Sequence, residues 1–189
     1  MANILDVFRT QAGQKLIERT QQLTGQEGEK VQKALVFTLP AILTNSKSFD
    51  IAESEGKSDL ISFIEQADLL AIGTDATVHQ FDTVQIQKLK SFGSLIEIPE
   101  EDFLKILKIS TAFLNALITQ MMNAEEDADH TEIIETLCGK SLKYERIYIK
   151  ALVKKGDSPD LIQSSEEIAL GEDRKDDDES ILGGYSGGR

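Results

Sequence analysis

The residues best suited to chemistry in this sequence form an acidic cluster between positions 125 and 135. Its members are six carboxylates and one histidine, namely Glu125, Glu126, Asp127, Asp129, His130, Glu132 and Glu135. Because Ca²⁺ and Mg²⁺ prefer carboxylate oxygens, a cation-binding loop is one interpretation. An EF-hand starting at Asp127 fails, since glycine is missing at its sixth position and glutamate at its twelfth. We therefore favour a solvated turn before a helix and predict no metal and no cofactor, although the sequence leaves cation binding open.

Two histidines and one cysteine complete the set of candidate catalytic side chains. His130 with Asp127 and Asp129 is the set on which an enzyme or metal-binding alternative would rest, because a histidine beside a carboxylate can act as a general base. His79 has no identifiable nucleophile nearby, and we interpret it as a surface loop residue. Cys138 lies among aliphatic residues, which favours a buried side chain over a nucleophile. The sequence contains no P-loop, Rossmann, HExxH or GxSxG motif. We predict no catalytic residues and a protein that is not an enzyme.

The overall charge is strongly acidic. The chain has 20 Lys and Arg against 33 Asp and Glu, a net charge of −13. Because nucleic-acid binding relies on cations that displace counterions, this balance argues against nucleic acid as a partner. The exception is a predicted basic helix at 140–155. It carries Lys140, Lys143, Arg146, Lys150, Lys154 and Lys155. A solvated helix face is the favoured interpretation of this segment, and nucleic-acid binding through it is the alternative.

These residues must be positioned by helices, and the segment Pro99–Met122 is predicted to be the central one. Read at 3.6 residues per turn, it is apolar over most of its circumference, so other elements must surround it. Its start is marked by Pro99, followed by three acidic residues that favour the positive end of the helix dipole. The remaining polar side chains form a narrow stripe, consisting of Lys105, Lys108, Asn115 and Thr119.

Start and stop signals divide the rest of the chain into further helices. Asn3 and Asp82 are predicted N-caps, the latter as a capping box with Gln85. Glycines are predicted to weaken or end helices at Gly13, Gly25, Gly93 and Gly139, and a turn is predicted at Gly73, Thr74 and Asp75. Pro40 lies inside a helix of about residues 29–44 and should kink or split it near Thr38. No strand pattern is present, so we predict an all-α, compact multi-helix domain.

The sequence predicts one helical domain at 1–170 and a tail at 171–189. The tail is acidic, then rich in glycine, and too poor in apolar residues to order itself, so we expect it to be disordered. The longest run without charge, residues 109–124, has 16 residues, whereas a membrane span needs about 20 mainly apolar ones. We therefore predict no membrane span. With no secretory signal and a single cysteine, a cytoplasmic location is expected.

The segment Gly13–Leu43, GQKLIERTQQLTGQEGEKVQKALVFTLPAIL, resembles a bacterial family of unknown function typified by the YidB-like proteins. The likeness lies in a small helix ending at Leu23-Thr24-Gly25, a polar pause, and a helix that closes on Leu39-Pro40-Ala41-Ile42-Leu43. The family pattern continues with another apolar helix, which here would be the central one. The resemblance implies an all-α fold. It implies no activity and no site residues, and this chain departs from the family by being more acidic.

Taken together, these features predict an uncharacterised, non-enzymatic bacterial protein that acts through protein–protein contacts, as an adaptor, scaffold or assembly component. A protein partner is expected, and self-association into a homo-oligomer stays open. The tail is either a docking motif or a solubilising terminus. The partner's identity and the biological process do not follow from the sequence.

Overall fold

A computed structural model describes residues 2–45, 59–125 and 127–152. In those ranges the regular elements are all helical, which confirms the predicted all-α fold. A 3₁₀ helix, Ile4–Arg9, precedes α1 (Gln11–Thr24), α2 (Gly28–Asn45), α3 (Leu60–Gln66), α4 (Leu69–Gln80), α5 (Thr83–Leu95), α6 (Glu100–Asn123), α7 (His130–Leu137) and α8 (Glu145–Ala151). No helix in the described ranges is long and apolar enough to cross a membrane. The predicted tail at 171–189 lies outside them.

The predicted central helix is confirmed as α6. It packs against every other α-helix, most extensively against α4 and α2. The polar stripe predicted along it is narrower than expected, because Thr119 is buried. Thr111 is also fully buried, and its hydroxyl donates a hydrogen bond to the Leu107 carbonyl at 2.9 Å. A threonine that bonds back to its own helix leaves its hydroxyl satisfied, so it can lie in an apolar core.

Side-chain caps begin the helices where the sequence indicated. Asn3 caps the 3₁₀ helix, and Asp82 forms a capping box with Gln85 through bonds of 2.8 and 2.9 Å. Pro99 lies one residue earlier than expected, since it is the N-cap of α6 and not its first helical residue. The Asn3 and Asp82 caps satisfy backbone N–H groups that have no partner within the helix, whereas Pro99 makes no side-chain cap bond.

The predicted glycine breaks are right at some positions and wrong at others. Gly25 and Gly139 end helices in the left-handed conformation, at φ +71° and +73°. By contrast, Gly13, Gly73 and Gly93 lie inside α1, α4 and α5. A Cβ atom on Gly73 would lie 2.0 Å from the carbonyl oxygen of Lys108. The predicted turn at Gly73 is therefore wrong, because this glycine permits close packing of α4 on α6.

Pro40 does not split α2, which runs continuously from Gly28 to Asn45. The helix is held against α6 on both sides of the expected break, since Leu35 and Leu39 are fully buried. Between them, the buried hydroxyls of Thr38 and Ser110 share a hydrogen bond of 2.7 Å. Burial along one face thus maintains the helix despite the missing proline donor.

Candidate functional site

One carboxylate of the candidate enzyme site, Asp129, caps the helix that follows it. Asp129 is the N-cap of α7, and its carboxylate accepts hydrogen bonds from the Thr131 and Glu132 amides at 2.7 and 3.3 Å. His130 is the first residue of α7 and is half-buried, which lowers the pKa of its imidazole, while the nearby Asp129 opposes this shift. Asp127 is exposed. Among the described side chains, no group of three or more His, Cys, Asp or Glu is placed to hold a metal ion.

The other two candidate catalytic residues, Cys138 and His79, lie at the end of α7 and in α4. Cys138 is the C-cap of α7 and is half-buried, and this burial raises the pKa of its thiol. A raised pKa lowers the thiolate fraction, which is the nucleophilic form. The backbone at His79 belongs to α4, so the predicted surface loop at this position is wrong. The side chain of His79 lies outside the described part of the structure.

The predicted basic helix at 140–155 is shorter than expected. Helix α8 begins only at Glu145, because Gly139 ends α7 and an irregular connection follows it. Lys143, in this connection, forms an ion pair with Glu132 and lies 5.2 Å from the centroid of the Tyr144 ring. Lys154 and Lys155 are outside the described residues. The cations that are described therefore do not form one continuous helical face.

An open groove with a mainly apolar lining lies between α2 and α5. Its cavity measures about 510 Å³, and its lining consists of Glu29, Gln32, Lys33, Val36, Phe37, Phe92 and Ile96. The α2 residues at 29, 32, 33 and 36 recur at helical spacing, so they form one continuous face. Phe92 and Ile96 are one turn apart at the end of α5.

The floor of this groove is a pair of stacked aromatic rings. The centroids of Phe37 and Phe92 are 3.6 Å apart, with ring planes inclined by 12°. Phe92 also lies against Phe103 of α6, at 6.3 Å between centroids, which ties the floor to the core. Val36 on the wall is 39% exposed, so part of the apolar lining is open to solvent.

Charged side chains at the groove are arranged as ion pairs. Lys33 bonds to Glu29 at 2.7 Å, and this bond lowers the pKa of the Glu29 carboxyl. Outside the lining, Lys30 reaches Glu97 at 3.4 Å, and this ion pair connects α2 to the turn after α5. Glu97 itself adopts a positive φ of 58°, so the chain turns sharply just after Ile96. The groove thus has an apolar floor and a charged but balanced rim.

Sequence reasoning did not find this groove. The helical spacing of apolar residues places one stripe on the inner side of α2, and all of its members are buried, namely Val31, Ala34, Leu35, Leu39, Ile42 and Leu43. Val36 and Phe37 lie off that stripe, and this offset is the signal that would have indicated a second apolar face. On α5, Val84 is apolar and yet 64% exposed.

Comparisons of this chain with protein-family models, curated proteins and solved structures return no match. The resemblance of residues 13–43 to the YidB-like family therefore stays a prediction.

Proposed function

We propose that this chain is a non-enzymatic, cytoplasmic bacterial protein that works through protein–protein contacts, as an adaptor, scaffold or assembly component. The observation that carries the proposal is the α2–α5 groove, with Phe37 stacked on Phe92 and Val36 exposed beside them. Its location is inferred from a lone cysteine, which suits a reducing compartment. Kinship with the YidB-like family is part of the proposal.

The composition of the groove favours a protein ligand. Interface centres are rich in aromatic and aliphatic side chains and are surrounded by polar groups. Here the lining combines the apolar Val36, Phe92 and Ile96 with the charged Glu29 and Lys33. The groove is open, so a side chain or a helix face can enter it without any movement of α2 or α5.

The polar side chains of the groove support binding more than chemistry. Glu29 and Lys33 are one helical turn apart and bond to each other, so neither is held apart as an acid or a base. The enzyme alternative at Asp127, Asp129 and His130 receives no such support, since Asp129 is committed to the cap of α7.

Crosslinking in cells tests the proposal, using full-length protein with Val36→Asp as the groove variant. Leu142→Asp is the matched control, because Leu142 is 56% exposed and does not line the groove. We expect crosslinked protein, either this chain or another, to be recovered with wild type and control and to fall about tenfold with Val36→Asp. Equal recovery with all three chains would show that the groove is not the contact surface. Recovery of nothing by any of them would contradict the proposed function itself.

A chain ending at Leu170 separates the tail from the groove in the same experiment. If the tail were the docking motif, partners would be lost on truncation and kept by Val36→Asp. Under the proposal the reverse is expected, because the apolar contact surface lies on α2 and α5.

A further inference from the structure

We propose that residues 2–3 act as a strap that holds α8 closed on the core, so that α8 is a lid that opens when the strap is released. The strap lies just before the 3₁₀ helix, 143 residues ahead of its contact at Glu145. The inference concerns a conformational change that does not involve the α2–α5 groove, and it goes beyond the proposed function.

The strap is joined to α8 by two hydrogen bonds. The Ala2 amide donates to the Glu145 carboxylate, and the Tyr148 hydroxyl donates to the Asn3 carbonyl at 2.9 Å. Because Glu145 and Tyr148 are three residues apart, their side chains share one face of α8. Two consecutive residues of the strap are thus bonded along that face. A carboxylate is a stronger acceptor than a neutral group, so we expect the Ala2 contact to be the stronger of the two.

The strap is itself fixed to a different part of the core. Asn3 caps the 3₁₀ helix in a capping box with Asp6, whose carboxylate accepts from the Asn3 amide at 2.8 Å. Ile4 and Val7 of that helix are buried, and the helix packs on α1 and α2. Helix α8 instead packs chiefly on α6. The strap therefore links α8 to helices other than the one on which it mainly packs.

Helix α8 is short enough for these two bonds to decide whether it stays closed. It has seven residues, and its N-cap, Tyr144, makes no side-chain cap bond. A helix of this length is not stable by itself in water, so it depends on contacts with the rest of the fold. Its apolar contacts come from Tyr148, Ala151 and the following Leu152, all of which are buried. When α8 opens, these side chains and the α6 surface beneath them become exposed to water.

The connection before α8 allows this opening without any change in α7. Gly139, at φ +73°, ends α7, and an irregular segment leads from it to α8. Tyr144, at the end of that segment, is buried, and its hydroxyl accepts from the Asp129 amide at 3.0 Å. This bond fixes the connection to the beginning of α7. The opening therefore starts at Glu145 and leaves α7 in place.

Hydrogen exchange measured by NMR on the full-length chain tests the lid with Ala2→Pro, which removes the amide donor to Glu145. Ala2→Ser is the matched control, because it keeps that amide and changes the side chain little. We expect Ala2→Pro to speed exchange of the α8 amides about tenfold relative to wild type and to leave the α6 amides unchanged. The Ala2→Ser variant should behave as wild type.

Two results would overturn the inference. Unchanged exchange in α8 would show that residue 2 does not hold the helix closed. Equal acceleration in α6 and α8 would show a loss of overall stability and no separate lid. Far-UV circular dichroism and thermal melting verify that each variant is folded.

Tyr148→Phe releases the second bond from the side of the lid and leaves the strap unchanged in sequence. By itself it should also speed exchange in α8. In the double variant with Ala2→Pro, the acceleration should be smaller than the product of the two single factors, because a strap that has lost one bond holds the other less firmly. A double variant that reaches the full product would mean that the two bonds act independently, which contradicts a single strap.

Discussion

Gly73 lies where the backbone of α4 packs closely against the backbone of α6. A Cβ atom there would meet the Lys108 carbonyl oxygen at 2.0 Å, so Gly73→Ala must push α4 away from α6. We expect it to lower the free energy of unfolding by about 2 kcal/mol, although alanine favours a helix more than glycine does. Gly28→Ala is the matched control, since its Cβ would meet only the flexible Gln21 side chain, at 3.1 Å. Chemical denaturation of both variants measures the difference in stability. Equal stability would show that α4 can move away from α6 without a loss of unfolding free energy.

Asp102 is expected to make stability depend on acid pH. It accepts hydrogen bonds from Lys105 and from Gln26, both at 2.8 Å. The bond from Lys105 chiefly lowers the pKa of the Asp102 carboxyl, while burial opposes this shift. Because the folded pKa lies below the unfolded one, the carboxylate stabilises the fold above the unfolded pKa and loses this effect as the pH falls through the folded pKa.

Asp102→Asn removes that charge with little change of shape. At pH 7 we expect the variant to be less stable than wild type by about 1 kcal/mol, with the gap closing below about pH 4. Denaturation curves from pH 7 to pH 3 provide the measurement. Glu101→Gln, at an exposed neighbouring position, is the control. If the difference in unfolding free energy between wild type and Asp102→Asn does not change with pH, the ionised carboxylate does not stabilise the fold.

At the scale of elements, two buried tyrosines attach neighbouring segments to one another. The hydroxyl of Tyr148, on α8, donates to the Asn3 carbonyl at 2.9 Å, and burial raises the pKa of Tyr148. The hydroxyl of Tyr144 accepts from the Asp129 amide at 3.0 Å, just before α7. Each bond holds the beginning of one helix against the region around α8.

The two tyrosines therefore give a paired prediction. Tyr148→Phe should lower stability by about 1 kcal/mol and speed amide hydrogen exchange in the 3₁₀ helix, Ile4–Arg9. Tyr144→Phe should instead speed exchange at Asp129 and leave the 3₁₀ helix unchanged. Exchange measured by NMR separates the two effects. If both variants speeded exchange at the same amides, the two hydroxyl hydrogen bonds would not each stabilise their own segment.

Helix periodicity predicted the elements better than it predicted their surroundings. The inner face of α2 and the length of α6 follow from the spacing of apolar residues, because that spacing sets which side chains share a face. It does not say which face receives a neighbour. Thr119, for example, was expected on a polar stripe and is buried.

At the scale of the whole molecule, the acidic net charge predicts that the chain does not bind nucleic acid. The net charge is −13, and Lys143 in the basic stretch is paired with Glu132. We expect no retardation of duplex DNA or RNA in gels at low salt, where counterion release would favour binding most. Binding that weakens as salt is added, and that is lost in an Arg146→Ala, Lys150→Ala variant, would contradict this expectation.

The sequence by itself determined that the chain is helical, where most of its helices begin, and that α6 lies at the centre. These properties depend on residues close together in the chain, such as the Asp82–Gln85 capping box and the apolar run of α6. Only the tertiary structure decided that Gly73 lies inside a helix packed on α6 and that Phe37 meets Phe92. Each of these depends on which distant segment is near, and local spacing carries no such information. The α2–α5 groove belongs to this second group, because it exists only where two helices far apart in sequence leave their outer apolar faces side by side.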